Sequence, residues 1–103
     1  MKKGGIKALV LNPQDNVGIA LQGLDAGTEL NLKVNDKKIT VKLREPITYQ
    51  HKFSIMPIDS GTRIIKFGEV IGKATQDIKS GQHVHTHNMI GLRIGKTVGK
   101  RSQ

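Results

Sequence analysis

A seven-residue turn pattern occurs three times in this 103-residue chain and constrains its fold more than any other feature. Each copy reads apolar, polar, small, glycine, polar, polar, apolar, and the copies occupy residues 24–30, 58–64 and 78–84. A tight turn of this kind needs the permissive backbone of glycine, and the apolar residue after it begins a strand. Successive copies are 34 and 20 residues apart. This uneven spacing excludes a regular solenoid and predicts a chain that folds back repeatedly through the same turn.

The composition favours strands over helices. The chain has 12 Ile, 7 Val and 7 Thr against 4 Ala, and β-branched side chains suit a pleated sheet better than a helix. No window sustains a helical period, although single helical turns near Ser60 and in 75–78 are compatible with the pattern. The sequence therefore predicts a mostly β domain of short strands and few short helical turns. The predicted strands are 6–11, 17–21, 30–34, 39–43, 51–55, 63–67, 70–74 and 83–86.

The third and fourth predicted strands form a hairpin whose loop length is open to prediction. A four-residue loop over 35–38 pairs Val34 with Ile39 and keeps three apolar pairs opposite one another. A two-residue turn at 35–36 sets Val34 against Lys37 and keeps only two such pairs. A three-residue loop opposes apolar to polar residues throughout. We therefore predict the four-residue loop.

Basic charge is concentrated at the two ends of the chain. Of the formal net charge of +9, residues 1–7 and 93–103 supply seven units, whereas residues 8–92 are nearly balanced. A basic chain is typical of nucleic-acid binding, but three aromatic residues are too few for a base-stacking surface. We therefore expect a domain at 6–92 between basic tails, 1–5 and 93–103, with nucleic acid disfavoured as a partner.

Other function classes are excluded by what the sequence lacks. No segment approaches the roughly 20 apolar residues of a membrane-spanning helix, and the N-terminus has no apolar stretch of the kind found in signal peptides. The chain has no cysteine, so disulfides and thiolate metal sites are excluded. We therefore expect a cytoplasmic protein that does not contact membranes.

Three of the four histidines lie within five residues, at His83, His85 and His87. On a regular strand the side chains at i and i+2 share a face about 7 Å apart, and the outer two imidazoles would be about 13 Å apart. Two of them could therefore hold one transition-metal ion, with a third ligand from elsewhere. His51 could supply that ligand, and Lys52 could bind a carboxylate. The alternative is an exposed polar strand face without a ligand.

Beyond these local patterns, several motifs follow one another in an order and spacing similar to those of a known family. The motifs are His51-Lys52, Pro57-Ile58-x-x-Gly61, Ile65 to Gly72, Ala74-Thr75-x-Asp77-Ile78-x-x-Gly81, His83 to Asn88, and the upstream segment Asn12 to Leu21. Together they resemble the SAF domain of the altronate and galactarate dehydratase family over roughly residues 6–90. The chain departs from the family pattern in two places. Gln50 stands where the family often has glycine, and the basic segment 95–103 replaces a linker to a catalytic domain.

The resemblance implies a fold, a partner and a reaction. The implied fold is a β-clip, in which a long twisted hairpin folds over on itself. The implied function is that of a free-standing small subunit of a heteromeric lyase, inactive without a large catalytic subunit. Such an enzyme dehydrates a sugar acid such as altronate or galactarate, or eliminates sulfite from sulfolactate. The associated metal is iron or manganese, held by the large subunit or shared with it.

The resemblance and the histidine pattern together give a set of candidate site residues. His85 and His87 are the predicted catalytic residues and metal ligands, and His51, Lys52 and Asn88 are predicted to bind an anionic hydroxy acid. The alternative function is a non-catalytic binding module whose basic ends contact nucleic acid or a protein partner. A third is a stand-alone metal-binding protein. The sequence leaves the substrate, the leaving group, the metal and the oligomeric state open, including a homo-oligomer.

Overall fold

The described part of the chain consists of short antiparallel strands. The computed structural model describes residues 6–92, and the predicted basic tails lie outside these residues. Residues 6–92 form no helix, so they contain none that could cross a membrane. The prediction of a mostly β domain is confirmed. The strands are β1 (Ala8–Leu9), β2 (Val17–Ala20), β3 (Glu29–Val34), β4 (Lys37–Lys42), β5 (Lys52–Ser54), β6 (Arg63–Lys66), β7 (Glu69–Ala74), β8 (His83–Val84) and β9 (Met89–Gly91).

These strands form three small sheets in which every pair is antiparallel. The largest has the order β1-β2-β5-β8, a second consists of the β3–β4 hairpin, and the third has the order β6-β7-β9. Isolated bridges join Leu24 to Ile47 and Ile58 to Ile78. Two clusters of buried side chains lie beneath the sheets, one containing Phe53 and the other containing Ile64. The arrangement agrees with the SAF-like β-clip expected from the resemblance.

The repeated glycine turn has the same structure in all three copies. Gly27, Gly61 and Gly81 have φ angles of 87°, 89° and 89°, in the left-handed region that glycine enters without steric cost. In each turn the residue after the glycine donates a backbone hydrogen bond three residues back, as Thr62 does to the carbonyl of Asp59 at 3.0 Å. The turns are followed by β3, β6 and β8. The helical turns that the sequence allowed are tight turns and bends instead.

A fourth turn of the same kind precedes β5 and has glutamine in place of glycine. Gln50 has a φ of 70°, and the N–H of His51 donates to the carbonyl of Thr48 at 2.9 Å, which is the bond that closes the other three turns. An L-residue in this region brings its Cβ close to the backbone, at a cost of about 1–2 kcal/mol. The sequence pattern missed this copy because the pattern requires glycine.

Replacing Gln50 with glycine is expected to stabilise the protein. The left-handed backbone costs glutamine about 1–2 kcal/mol, whereas glycine loses about 0.5–1 kcal/mol more entropy on folding. We therefore expect Gln50→Gly to raise the free energy of unfolding by about 0.5–1 kcal/mol, measured by urea unfolding. The matched variant is Gly61→Ala, whose new Cβ would have no atom within 4 Å, and which should lose stability through the backbone alone. A less stable Gln50→Gly would contradict the argument from strain.

The β3–β4 hairpin has a shorter loop than the sequence analysis predicted. Val34 pairs with Lys37 across a two-residue turn, so the predicted four-residue loop is wrong. Asn35 occupies this turn with a φ of 55°, a conformation that asparagine tolerates. The two registers differ by two residues, so each side chain lies on the same face of the hairpin in both. The alternation of apolar residues therefore fits both registers, and the larger number of apolar pairs favours the wrong one. Leu43, which the prediction paired within the hairpin, is buried in the core instead.

Both strands of this hairpin carry exposed basic side chains. Each strand has one edge without a strand partner among residues 6–92. The exposed lysines of the two strands are Lys33, Lys37, Lys38 and Lys42.

Two buried polar residues join the first loop to the β6–β7 hairpin. Asp15 is 1% exposed, and its carboxylate accepts three backbone hydrogen bonds, one of them from the N–H of Gly68 at 2.8 Å. The side-chain amide of Asn16 donates to the carbonyl of Arg63 and accepts from the N–H of Ile65, both at 2.8 Å. These bonds satisfy polar groups that would otherwise be costly to bury. The polar residues of the predicted opening motif therefore fix the relative position of two sheets.

Candidate functional site

Three of the candidate residues, His51, Lys52 and His85, meet His83 where β5 lies beside β8. The two strands pair Lys52 with Val84 and Phe53 with His83. The turn at Gln50 leads directly into His51 and β5, and the third glycine turn leads into β8. Because β5 and β8 run antiparallel in this register, His51, just before β5, lies beside His85, just after β8. The same register makes His51 and His83, 32 positions apart in sequence, neighbours. The sheet therefore places His51 against the histidine-rich segment.

Three imidazoles form a compact cluster at this edge. Nδ1 of His51 lies 2.8 Å from Nε2 of His83, which is hydrogen-bonding distance. The ring centroids of His51 and His85 are 4.5 Å apart, and those of His83 and His85 are 5.4 Å apart. One ring nitrogen from each of the three residues lies within 4.8 Å of the other two. We call these three residues, all of them half-buried, the histidine cluster.

The chain leaves the strand immediately before His85, and a buried asparagine holds the loop that follows. The side-chain oxygen of Asn88 accepts from the N–H of His85 at 2.9 Å, and its amino group donates to the carbonyl of His83 at 2.9 Å. The predicted strand over 83–86 therefore ends at Val84. Because the strand is not regular, the ring centroids of His83 and His87 are 5.4 Å apart rather than the roughly 13 Å of an extended chain.

The surroundings of His83 and His85 favour neutral imidazoles. Burial lowers the pKa of His83, and the neighbouring imidazoles lower it further, against an opposing effect of Glu45. Partial desolvation likewise lowers the pKa of His85, assisted by the charges of His51 and Lys52. Burial, followed by repulsion from Lys66, lowers the pKa of Lys52. Neutral imidazole is the form that ligates metals and accepts protons.

These pKa shifts predict a loss of stability in acid. Because the pKa of His83 is lower in the folded protein than in the unfolded chain, the unfolded chain takes up protons first as the pH falls below about 6.5. We therefore expect the urea midpoint of the metal-free protein to fall between pH 7.5 and pH 5.5. His83→Gln, which cannot titrate, should show a smaller decrease. An equal decrease in both proteins would mean that groups other than His83 cause the acid sensitivity.

The structure brings some of the predicted site residues together and leaves others apart. His51, Lys52 and His85 lie together, whereas His87 is exposed with its ring tilted 35° against that of His83. The side-chain amide of Asn88 is hydrogen-bonded within the loop, and its predicted contact with the substrate stays a prediction. His83 itself was not among the predicted site residues.

Sequence reasoning also missed Glu45. Its carboxylate accepts the backbone N–H of His83 at 3.0 Å. Glu45 lies 38 residues before His83, in a segment without strand periodicity. No local pattern indicates this contact.

The fold and the site define a small all-β module with a histidine-rich edge. A sequence model described as the altronate/galactarate dehydratase SAF domain matches residues 6–91. The chain therefore belongs to the altronate/galactarate dehydratase SAF-domain family, and the resemblance found from its motifs is confirmed.

Curated relatives of this chain include enzymes of two kinds. An altronate dehydratase of Escherichia coli is 45% identical over 74 residues, which are 72% of this chain and 14% of the relative. An altronate dehydratase of Bacillus subtilis is 33% identical over 76% of this chain and 15% of its own length. The (2R)-sulfolactate sulfo-lyase subunit alpha of Chromohalobacter salexigens is 32% identical over 87 residues, which are 82% of this chain and 93% of that subunit. The chain thus spans about one seventh of the altronate dehydratases but nearly all of the sulfo-lyase subunit.

Proposed function

We propose that this chain is the SAF-domain subunit of a lyase that acts on an anionic hydroxy acid. The reaction is loss of water from a sugar acid such as altronate or galactarate, or loss of sulfite from sulfolactate. The relatives support this proposal by their names, and the match along 93% of a sulfo-lyase alpha subunit supports a separate small subunit. The observation that carries the proposal is the histidine cluster beside Lys52 on a module of this family.

The chemistry of such an elimination suits the residues at this edge. A base removes the proton on the carbon next to the carboxylate, and the bond from the following carbon to oxygen or sulfur then breaks. The leaving group departs as water, after taking a proton, or as sulfite. In the proposal His85 and His87 exchange these protons, because a neutral imidazole can accept one at neutral pH. His51 and the ammonium group of Lys52 bind the carboxylate, and Asn88 holds the loop.

The metal expected from the resemblance can be compared with these donors. Imidazole nitrogens suit iron, whereas manganese prefers oxygen ligands. The histidine edge therefore fits iron better than manganese. As the alternative to exchanging protons, His85 and His87 would be the ligands from this chain for a metal shared with the partner, since a nitrogen bound to an ion cannot accept a proton. When bound, such an ion supplies a Lewis acid for the leaving group or the carboxylate.

The proposed partner is a large dehydratase-like chain. His87 is exposed and the cluster is only half-buried, so the edge alone does not exclude water from a reacting acid. Closing this edge against a second surface would supply the missing enclosure. The alternative function, a binding module that uses basic ends, rests on residues outside 6–92, and no described feature favours it.

The test is turnover by the complex of this chain with its large subunit. Altronate, galactarate and sulfolactate are supplied separately, and keto acid and sulfite are measured. We expect His85→Ala and His87→Ala to lower kcat about 10²–10⁴-fold, the range that a general acid or base contributes. Lys38→Ala, on the exposed hairpin, is the control variant. It should keep full turnover, so that a loss in the histidine variants is not attributed to preparation of the complex. If His85→Ala, His87→Ala and His83→Ala all retain full turnover and metal content, the site assignment is wrong.

A further inference from the structure

The distances within the histidine cluster are close to those of a bound metal ion. Two imidazole nitrogens on one tetrahedral ion, each about 2.0–2.1 Å from the metal, lie about 3.3 Å apart. In the protein the facing nitrogens of His51 and His83 are 2.8 Å apart. One ring nitrogen from each of the three residues lies within 4.8 Å of the other two. Shifts of an ångström or less at each side chain would therefore bring all three to one ion.

The contact between His51 and His83 holds a single proton that an ion can replace. A hydrogen bond between two ring nitrogens requires one donor and one acceptor, so the two facing nitrogens cannot both be protonated. An ion between them would take the place of the shared proton and use both lone pairs. Since the contact already holds the two side chains together, little ordering remains to be done when an ion binds.

The backbone positions of all three residues are fixed within this chain. His51 follows a closed turn, and His83 lies on β8, paired with Phe53 of β5. The backbone N–H of His85 is bonded to the side chain of Asn88. The planes of the three rings lie within 11–15° of one another. Binding of one ion therefore requires the rings to rotate about χ2, which has a broad energy minimum for histidine.

We infer that His51, His83 and His85 form a three-imidazole site for a divalent transition-metal ion, built by this chain alone. The donors are all nitrogen, which selects Zn²⁺, Co²⁺, Ni²⁺ or Cu²⁺ over Mg²⁺, Ca²⁺ and Mn²⁺. Three protein ligands on a zinc-like ion leave one position open, as in catalytic rather than structural sites. The inference differs from the ligand pair His85 and His87 by including His51 and His83, and it does not rest on the proposed lyase function.

The test uses the full chain without a polyhistidine tag, freed of metal with EDTA and dialysed. Titration calorimetry with Zn²⁺ should give one ion per chain, and Co²⁺ should give the visible absorption of a four-coordinate ion. Mg²⁺ and Mn²⁺ should give no comparable binding. A dissociation constant weaker than about 100 μM for Zn²⁺ would overturn the inference, since well-formed sites bind far more tightly. Half an ion per chain would place the site between two copies and would also overturn it.

The four histidines of the chain provide matched variants. We expect His51→Ala, His83→Ala and His85→Ala each to weaken Zn²⁺ binding at least 10–100-fold, because loss of a residue that merely supports a ligand already costs about that much. His87→Ala should change the affinity less than about threefold, since His87 lies outside the proposed ligand set. An equal loss in His87→Ala and His83→Ala would overturn the ligand assignment.

A measurement on the unaltered protein guards against variants that fail to fold. Diethylpyrocarbonate modifies free imidazoles, and mass spectrometry locates the modified residues. Zn²⁺ should protect His51, His83 and His85 and leave His87 reactive. Protection of His85 and His87 without His51 would instead support the ligand pair predicted from sequence and overturn the three-imidazole site.

Discussion

The purified chain is expected to show no turnover of altronate, galactarate or sulfolactate, and activity should appear when the large subunit is added. Enzymes accelerate such reactions by at least about 10⁶-fold, through several groups held around an enclosed substrate. His87 is exposed and the histidine cluster is only half-buried, so this edge does not enclose a substrate by itself. We therefore expect an elimination at the histidine edge to need a second surface.

The experiment compares three preparations, the chain alone, the large subunit alone and the two combined. Only the combination should release keto acid or sulfite. Turnover by the isolated chain would contradict the prediction that it needs a partner. Failure to bind any large subunit from the same cell would contradict the proposed subunit role, but it would leave the metal-binding experiment untouched because that uses this chain alone.

Phe53→Ala is expected to cause the largest loss of stability among single substitutions in the core. Phe53 is 0% exposed and contributes to the larger hydrophobic cluster. Its ring lies directly over Gly18, where an added Cβ would be only 2.8 Å from the ring. Truncation of a buried phenylalanine typically costs 3–5 kcal/mol. For a domain whose total stability is about 5–15 kcal/mol, we expect a large fall in Tm and partial unfolding at 37 °C.

The matched control is Phe67→Ala, which removes the same side chain from an exposed turn. Phe67 is 36% exposed, so we expect a change below about 1 kcal/mol. Urea unfolding of both variants gives the comparison. Similar small losses in the two variants would mean that the core collapses around the missing ring. Because Phe53 pairs with His83, its loss should also weaken metal binding by the histidine cluster.

Local patterns were sufficient for most of the fold. Alternating apolar residues located β1 to β8 to within a few residues, and the glycine pattern located three turns with positive φ. The strand β9 (Met89–Gly91) was missed, because its three residues are too few to show an alternating pattern. The predicted hairpin register is wrong, because both registers bury the same face of the hairpin. The choice between them depends on the conformation of the turn and on the burial of Leu43 in the core. The fourth turn was missed because Gln50 adopts the glycine conformation at a cost that sequence patterns do not reveal.

The candidate site was predictable only in part. The histidine pattern and the family motifs drew attention to His51, His85 and His87. Periodicity could not indicate that β5 pairs with β8, a contact between distant segments that brings His51 and His83 within 2.8 Å. Nor could it show that Asn88 bends the chain after Val84, since this depends on the side chain of a single buried residue.

The lysines of the β3–β4 hairpin bear on how copies of this chain interact with one another in solution. Unpaired strand edges invite pairing with edges of other molecules, and this is a common start of aggregation. Four lysine side chains project from the two strands, so edge-to-edge contact of two copies would bring like charges together. We therefore expect the charge on this hairpin to oppose edge-to-edge association of free chains.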